Sequence, residues 1–330
     1  MFMKLLSIII PVYNVEKYLE KCLDSVIFPD LSDYEILTVN DGSTDSSAEI
    51  LERYHKQYPT LIRVITKENG GLGSARNAAI EPACGQFLYF LDSDDFLSPN
   101  AVPEMIETCR DHDFDICFFD AAAINEDGKV LENIIGANRD GTFSLEENPD
   151  ILLARTNAGN KIFRRSLFLD HQIFFKDREW YEDVSCFPKL YALADNMLYQ
   201  KSTWYNYLLR QGSIMNNSNL ERNAEIISAT EEMNRYYREN GIFDKYHDQL
   251  EYFCFYNVLI AATVRVNLID PHSPIQDRFS DYFTSAFPNY RKNKYVVSSP
   301  AKYKLLDRLI IHKQYLAVHF LMSLNGRIRH

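Results

Sequence analysis

The chain has 330 residues, of which 46% are hydrophobic and 25% are charged, close to the averages for soluble globular proteins. That length predicts one large domain or two modest ones, with enough apolar residues to build a sizeable core. The net charge of −11 argues against a general nucleic-acid binder, because such proteins present a basic surface to phosphates.

Strand and helix patterns alternate along the first hundred residues. Strand patterns cover 5–12, 34–39, 61–66, 87–91 and 114–119. Helix patterns cover 16–26, about 45–58 and a segment from about 74. This alternation predicts βαβ units in a mostly parallel central sheet flanked by helices, an α/β fold. Because ligands of such sheets bind beyond the carboxyl ends of the strands, we expect the chemistry in the loops that follow them.

The rest of the chain changes character twice. Short strands and helices mix over 120–215, and helical patterns then cover 219–240, 243–266 and 301–324. We therefore expect a first domain over 1–215 and a helical C-terminal region over 216–330.

The compartment follows from the cysteines and the apolar runs. Six cysteines without a C-x-x-C pair predict buried reduced thiols, as in the cytoplasm. The apolar start predicts a strand rather than a signal peptide. No run approaches the roughly 18 apolar residues of a membrane span, so any membrane contact should be peripheral.

An acidic cluster, Asp92-Ser93-Asp94-Asp95, follows the fourth predicted strand. Strand alternation places Asp92 and Asp94 on the same side of an extended chain. Carboxylates this close repel one another unless a cation neutralises them, and oxygen ligands suit Mg²⁺ or Mn²⁺. The alternative is an acidic turn that caps the next helix.

Three further segments have both a structural and a functional interpretation. The turn at 40–45 (NDGSTD) forms a tight bend before a helix, and it could also offer Asp41 to a nucleotide base. The glycine-rich turn at 69–73 begins a helix, and its backbone N–H groups, with Arg76, could hold an anion. Glu182 and Asp183 suit the start of a helix, where acids are favourable, so capping is their alternative.

These segments together resemble one known family. Their order and spacing are similar to the N-terminal half of family 2 glycosyltransferases, which have the Rossmann-like GT-A fold. The strong matches are 7–14 (SIIIPVYN), 40–45 (NDGSTD), 69–77 (NGGLGSARN) and 91–95 (LDSDD). Weaker resemblance continues at 160–163, 182–183 and 207–214, so it covers about two thirds of the chain.

The resemblance implies a binding site for a nucleotide-diphosphate sugar, with UDP-sugars favoured. Contacts with the nucleotide base fall on Pro11, Tyr13 and Asp41, with Asp41 facing uracil. The full set of implied donor-binding residues is Pro11, Tyr13, Asn14, Asp41, Gly70, Gly71, Arg76, Asp92, Ser93, Asp95, Lys161, Arg210 and Ser213. Arg210 and Ser213 would lie on a loop that closes over the diphosphate. One departure is Asn40, where many members have Asp.

The same resemblance implies the catalytic groups. Asp94, with Asp92, would hold Mn²⁺ or Mg²⁺, and Asp183, with Glu182 beside it, matches the catalytic base. The implied reaction is inverting transfer of a sugar to a saccharide or lipid-linked acceptor, in the synthesis of capsule, O-antigen or another cell-surface polysaccharide.

Two other functions remain open from the sequence. One is a catalytically inactive relative that binds a nucleotide-sugar or a partner enzyme, although the implied metal and base residues are all present. The other is a nucleotidyltransferase, which would usually place a basic glycine-rich loop after the first strand, where 11–14 (PVYN) stands here.

The C-terminal segment 291–330 is basic, with nine Lys/Arg and one acid, a charge of +8 in a chain of −11. Lysines and arginines alternate with leucines and isoleucines over 301–324, which predicts one amphipathic basic helix. Such a helix could rest on an anionic membrane, here the inner face of the cell membrane. The alternative is a docking helix whose charges are only solvated.

Overall fold

The computed structural model describes residues 4–210 and 219–324. The chain divides into two compact units, Met1–Ser213 and Ile214–His330, with their boundary inside the segment 211–218, which lies outside the described residues. The first unit is α/β and the second is helical. The predicted fold class, an α/β sheet domain with a helical C-terminal region, is therefore confirmed.

The first unit is built around one sheet. Its strands are β1 (Lys4–Val12), β2 (Tyr34–Asn40), β3 (Ile62–Thr66), β4 (Gly85–Phe90), β5 (Phe96–Leu97), β6 (Ile116–Asn125), β7 (Val130–Ile134), β8 (Gly141–Phe143), β9 (Lys161–Arg164) and β10 (Met197–Leu209). Its helices are α1 (Glu16–Asp24), α2 (Ser47–Gln57), α3 (Leu72–Ile80), α4 (Ala101–Asp111), α5 (Arg165–His171) and α6 (Glu182–Leu193).

The strand order is β3-β2-β1-β4-β9-β6-β10-β5, with β7 beside β6 and β8 beside β10. Strands β3, β2, β1 and β4 are parallel, as are β6 and β10. Strand β9 runs antiparallel to both of its neighbours, β4 and β6, and Lys161 pairs with Phe118. Because β9 is reversed, its first residue lies where β4 ends, whereas β6 continues past it to Asn125.

The central strands are buried on both faces. Ile8, Ile9 and Ile10 of β1 are consecutive and each is 0% exposed. Successive side chains of a strand point to opposite faces, so helices must cover both sides of the sheet here. The continuous β-branched run in the sequence has this physical cause.

The six cysteines are free, and five of them are buried, with Cys84 partly exposed. Burial raises the pKa of the Cys22 and Cys117 thiols well above its usual value. These thiols therefore act as small apolar core groups, as the sequence predicts.

The second unit consists of helices within the described residues. They are α7 (Leu220–Asn223), α8 (Glu225–Glu239), α9 (His247–Cys254), α10 (Thr263–Ile269), α11 (Ile275–Ala286), α12 (Lys294–Ser298), α13 (Ala301–Ile311) and α14 (Tyr315–Leu324). A π-helical segment, Phe255–Ala262, joins α9 to α10.

One helical run in this unit is apolar over a greater length than we expected from the sequence. Asp244–Ile269 is long and apolar enough to cross a membrane by length and composition alone. The expectation that no run approaches that length is therefore corrected. In the structure, 61% of its most apolar window is buried inside the protein, as in the core helix of a helical bundle.

The prediction of a single amphipathic helix over 301–324 is wrong. Helix α13 ends at Ile311 and α14 begins at Tyr315, with Lys313 between them at a φ of 54°. The Lys313 ammonium lies 3.3 Å from the Asp277 carboxylate, so this charge is paired within the unit. The basic residues therefore do not form one continuous helical stripe.

A tight contact between Gly159 and Tyr205 predicts a stability effect. A Cβ atom on Gly159 would overlap the Tyr205 ring, which is buried and cannot move freely. We expect Gly159→Ala to destabilise the protein by about 3 kcal/mol, the upper range for overpacking a core, as measured by urea unfolding.

The matched control is Gly128→Ala, where no atom lies within 4 Å of the added Cβ and only the φ of +80° opposes the change. That strain should cost about 1 kcal/mol. Equal stability losses in the two variants would contradict the predicted overlap.

Candidate active site

The candidate site lies at the edge where β1, β2 and β4 end. Pro11 is buried within β1, and the Tyr13 ring that follows the strand is 49% exposed. Asn14 has a φ of 52°, and its Oδ1 accepts hydrogen bonds from the Thr44 amide and hydroxyl. Asn14 therefore joins the loop after β1 to the turn after β2, while Tyr13 stays open to a ligand.

The turn after β2 is built by two polar side chains. Asn40 Oδ1 accepts from the Ser43 amide at 2.9 Å, so Asn at this position still forms the turn. The Asp41 carboxylate is buried and accepts from Lys67 Nζ, Gly70 N and Gly71 N at 2.7, 2.9 and 2.8 Å. The expectation that the N–H groups of this turn hold an anion of the donor is thus revised at Gly70 and Gly71, because the anion they bind is Asp41.

The glycine-rich turn has a second role, which is to dock the chain that precedes α6. A Cβ atom on Gly73 would overlap the Lys176 carbonyl oxygen, and one on Gly71 would lie 3.2 Å from Arg178 Cα. The Asn77 side chain donates to the Phe175 carbonyl at 2.7 Å and accepts from its amide at 3.0 Å. The segment 69–77 therefore fixes the start of α6, where Glu182 and Asp183 lie.

Arg76 connects the two acidic segments of the site. Its guanidinium is buried, donates from Nη2 to Asp92 at 2.8 Å and donates from Nη1 to Glu182 at 2.6 Å. It also lies 5.2 Å from the centre of the Phe175 ring. With both terminal nitrogens on carboxylates, Arg76 positions the site, and its contact with uridine or diphosphate stays a prediction.

Burial shifts the pKa values of the two acids that begin α6, Glu182 and Asp183. Burial raises the pKa of Glu182 to about 7, against the opposing charge of Arg76. Burial likewise raises the pKa of Asp183, and Arg76 again opposes the shift. Asp183 Oδ2 accepts from the Thr156 hydroxyl at 3.1 Å and Oδ1 accepts from the Val184 amide at 2.8 Å. The predicted base is therefore held at both oxygens.

The acidic loop after β4 offers two carboxylates that fit a divalent cation. Asp92 Oδ1 accepts from Arg76, and Asp94 Oδ2 accepts from Arg210 at 2.9 and 2.7 Å, which leaves a second oxygen on each. Both side chains are partly exposed. Burial and the neighbouring Asp92 charge raise the pKa of Asp94. Mutual repulsion of oxygen-only ligands is the chemistry that a hard cation relieves.

The other two residues of the loop are buried. Asp95 is bound by the Tyr205 hydroxyl and by the Leu208 amide, both of β10, so its carboxylate fixes this loop to β10. This arrangement revises the expectation that Asp95 binds the donor. Ser93 is also buried.

The predicted closing loop is described only at its start. The Arg210 guanidinium lies 4.9 Å from the centre of the Tyr18 ring. Ser213 falls outside the described residues.

Lys161 is 0% exposed and does not face the donor side of the site as expected. Its Nζ donates to the Arg155 carbonyl, the Asn157 carbonyl and Asn160 Oδ1 at 2.9, 2.8 and 2.6 Å. An ammonium has three protons to donate, so none remains for a nucleotide-sugar. The expectation of direct donor contact is corrected on this ground.

Three residues of the site had no sequence prediction. Lys67, which binds Asp41, follows β3 at the same sheet edge, and that position is a signal the sequence did carry. Thr156 and Tyr205 reach the site through β9 and β10, whose neighbours in the sheet are far away in the chain. No local pattern identifies such residues.

The Arg76 bridge leads to a prediction about stability. Arg76→Met leaves the buried Glu182 carboxylate without its cation, and breaking a buried pair costs about 3 kcal/mol. Urea unfolding at pH 8 should measure that loss. At pH 5 the loss of stability should be smaller. Glu182, with its raised pKa, is then protonated and uncharged, so it no longer requires the Arg76 cation.

Arg110→Met is the control, since the Arg110–Asp33 pair at 2.8 Å is about half exposed. Exposed pairs contribute at most about 1 kcal/mol. A similar, pH-independent loss in both arginine variants would contradict the role of Arg76.

Comparison with known proteins identifies the family. The model of Glycosyl transferase family 2 matches residues 7–171. EpsH of Bacillus subtilis (strain 168), which is named as a glycosyltransferase, is 31% identical over 257 residues, covering 75% of this chain and 73% of EpsH.

Two solved structures have a similar fold. TarS 1–349 of S. aureus in complex with UDP-GlcNAc gives a TM-score of 0.58 at 21% identity, covering 98% of this chain and 93% of TarS 1–349. The mannosyltransferase PcManGT from Pyrobaculum calidifontis, in complex with GDP-Man and Mn²⁺, gives 0.54 at 12% identity, covering 99% and 89%. The family model and EpsH together carry the assignment: the chain belongs to glycosyl transferase family 2 and is a glycosyltransferase.

Proposed function

We propose that this glycosyltransferase is metal-dependent and inverting, and moves a sugar from a UDP-sugar to a saccharide or lipid-linked saccharide in cell-surface polysaccharide synthesis. The observation that supports it best is the Arg76 bridge, which joins the acidic loop to Glu182. A donor phosphate at that loop would place the anomeric carbon beside the start of α6, where a base is needed.

The nucleotide end of the proposed site is the loop after β1. The exposed Tyr13 ring offers an apolar face to a base, and Asp41 with Lys67 lies across the edge of β2. UDP-GlcNAc bound to TarS, which shares the fold, supports uridine as the nucleoside.

Asp94 and Asp92 would hold the metal ion in this proposal. A bound Mn²⁺ or Mg²⁺ supplies Lewis-acid stabilisation of the negative charge that develops on the leaving nucleoside diphosphate. The presence of Mn²⁺ in the complex of PcManGT, which shares the fold, supports a divalent cation. Arg210, paired with Asp94 here, adds positive charge at the same place.

Asp183 is the proposed base. It would remove the proton of an acceptor hydroxyl, whose oxygen then attacks the anomeric carbon from the face opposite the diphosphate, so the configuration inverts. Such a base lies about 3 Å from the hydroxyl in the productive complex. Burial, which raises the pKa of Asp183, brings this carboxylate closer to the pH at which it works.

We assign the donor site to 1–215 and acceptor or membrane association to 216–330. In the second unit, Leu316 and Phe320 of α14 are 62% and 67% exposed, and Lys304 and Arg308 of α13 are exposed near them in sequence. Apolar and basic groups of this kind favour an anionic surface. The proposed location is the cytoplasm, with peripheral contact at the inner face of the cell membrane.

A donor screen tests the proposed donor and metal. We expect purified protein with Mn²⁺ or Mg²⁺ to release UDP slowly from one UDP-sugar, and expect chelator or Asp94→Asn to abolish release, because the leaving diphosphate then lacks its counter-charge. Asp30→Asn, an exposed aspartate in the loop before β2, at the opposite end of that strand from Asp41, is the control and should release UDP normally. Absence of both release and metal-dependent UDP binding would contradict the proposal.

Asp183→Asn tests the base. We expect UDP binding to be retained and transfer to fall by about 10²–10⁴-fold, the usual contribution of a positioned base. In the unmodified enzyme, kcat should rise with pH through the raised pKa of Asp183, because only the carboxylate accepts a proton. Near-normal turnover of the variant would transfer the role to another group, with Glu182→Gln as the next test.

A further inference from the structure

A buried lysine holds the loop beside the proposed base. Lys161 Nζ donates to the carbonyl oxygens of Arg155 and Asn157, the two residues that flank Thr156. Its third proton goes to Asn160 Oδ1, on the residue immediately before β9. Because an ammonium donates in three fixed directions, this arrangement sets the position of the backbone on both sides of Thr156.

The Thr156 side chain connects this loop to the proposed base, Asp183. Its hydroxyl donates to Asp183 Oδ2 at 3.1 Å, whereas Oδ1 is bound by the Val184 amide next along α6. Val184 follows Asp183 in the same helix, so its amide moves together with the carboxylate. The hydrogen bond from the Thr156 hydroxyl is therefore the contact that fixes the carboxylate relative to the sheet. Lys161, in β9, is part of that sheet.

The charges that face Asp183 come from three elements. Arg76 of α3 carries a permanent positive charge, burial lowers the pKa of the Lys161 ammonium in β9 to about 7, and burial raises the pKa of Glu182 in α6 to about 7. Burial raises the pKa of Asp183, and the Arg76 charge, the Thr156 hydrogen bond and the Lys161 charge each lower it. Removing Thr156 or Lys161 should therefore raise that pKa further.

We propose that Lys161 and Thr156 are positioning residues for the catalytic carboxylate: the buried ammonium fixes the backbone at 155–157, and the Thr156 hydroxyl orients Asp183 toward the acceptor. This inference rests on the proposed role of Asp183 as the base. Lys161, at the junction of sheet and active-site loop, has a role in turnover without touching the donor.

The test compares Thr156→Val, Thr156→Ser and Lys161→Met with the unmodified enzyme, with Thr142→Val and Lys201→Met as controls at exposed strand positions. For each protein, kcat and the donor KM are measured across pH, and UDP affinity is measured by calorimetry. Circular dichroism checks folding, and Thr156→Val, which conserves side-chain volume at a partly exposed position, keeps the test valid if Lys161→Met does not fold.

We expect Thr156→Val to lower kcat about tenfold, with an unchanged donor KM and UDP affinity, because the lost hydrogen bond involves a charged acceptor. The acidic limb of the kcat profile should move to higher pH, Thr156→Ser should restore both properties, and Lys161→Met should act in the same direction.

A kcat for Thr156→Val within twofold of the unmodified enzyme would overturn the proposal. A fall in kcat without movement of the acidic limb and without rescue by Ser would also overturn it, since that result describes a purely structural residue. These results overturn only the positioning role, since the unmodified enzyme still turns over. If the unmodified enzyme neither releases nor binds UDP, the proposed function itself fails.

Discussion

The site depends on one buried cation shared by two carboxylates. Arg76 is 2% exposed, and its guanidinium joins Asp92, at the end of a strand, to Glu182, at the start of a helix. The two acids are 90 residues apart in the chain, and nothing local brings them together. A buried charge is tolerated only when it is paired, so all three groups must keep their places. This constraint links the proposed donor side of the site to the proposed base.

The glycine-rich segment before Arg76 makes that bridge possible. Two glycine amides bind the Asp41 carboxylate, and Gly73 leaves room for the backbone at Lys176. A segment that looks like an anion site for a ligand thus uses its N–H groups on an anion of its own chain. Ligand binding and internal packing draw on the same chemistry here, which explains why the sequence alone permits both interpretations.

Sequence patterns predict the first half of the fold well, because β1 to β4 and their helices are set by local periodicity and by burial on both faces. They also place Tyr13, Asp41 and Asp92 correctly at one edge, since parallel strands end together. They fail where a distant partner decides the outcome. Lys161, in the reversed strand β9, donates its hydrogen bonds within the protein. Asp95 likewise accepts a hydrogen bond from the Tyr205 hydroxyl of β10.

The helical unit shows a different limit. Alternating basic and apolar residues predict one helix over 301–324, but a turn with a positive φ at Lys313 divides it in two. Periodicity identifies the residues on one helical face, and it carries no information about where a turn interrupts the helix.

Strand β9 also restricts how this chain can change in length. Its register is fixed by pairing with β4 on one side and β6 on the other. The Lys161 ammonium also donates hydrogen bonds to the carbonyl oxygens of residues 155 and 157, which fixes the length of chain between them and β9. Adding or removing one residue between 155 and 164 would turn Lys161 to the opposite face of the sheet or detach the loop from it. In the turn between β6 and β7, by contrast, no atom lies within 4 Å of a Cβ added at Gly128, so this turn has room for additional residues. Insertions and deletions among relatives should therefore collect in that turn and avoid 155–164.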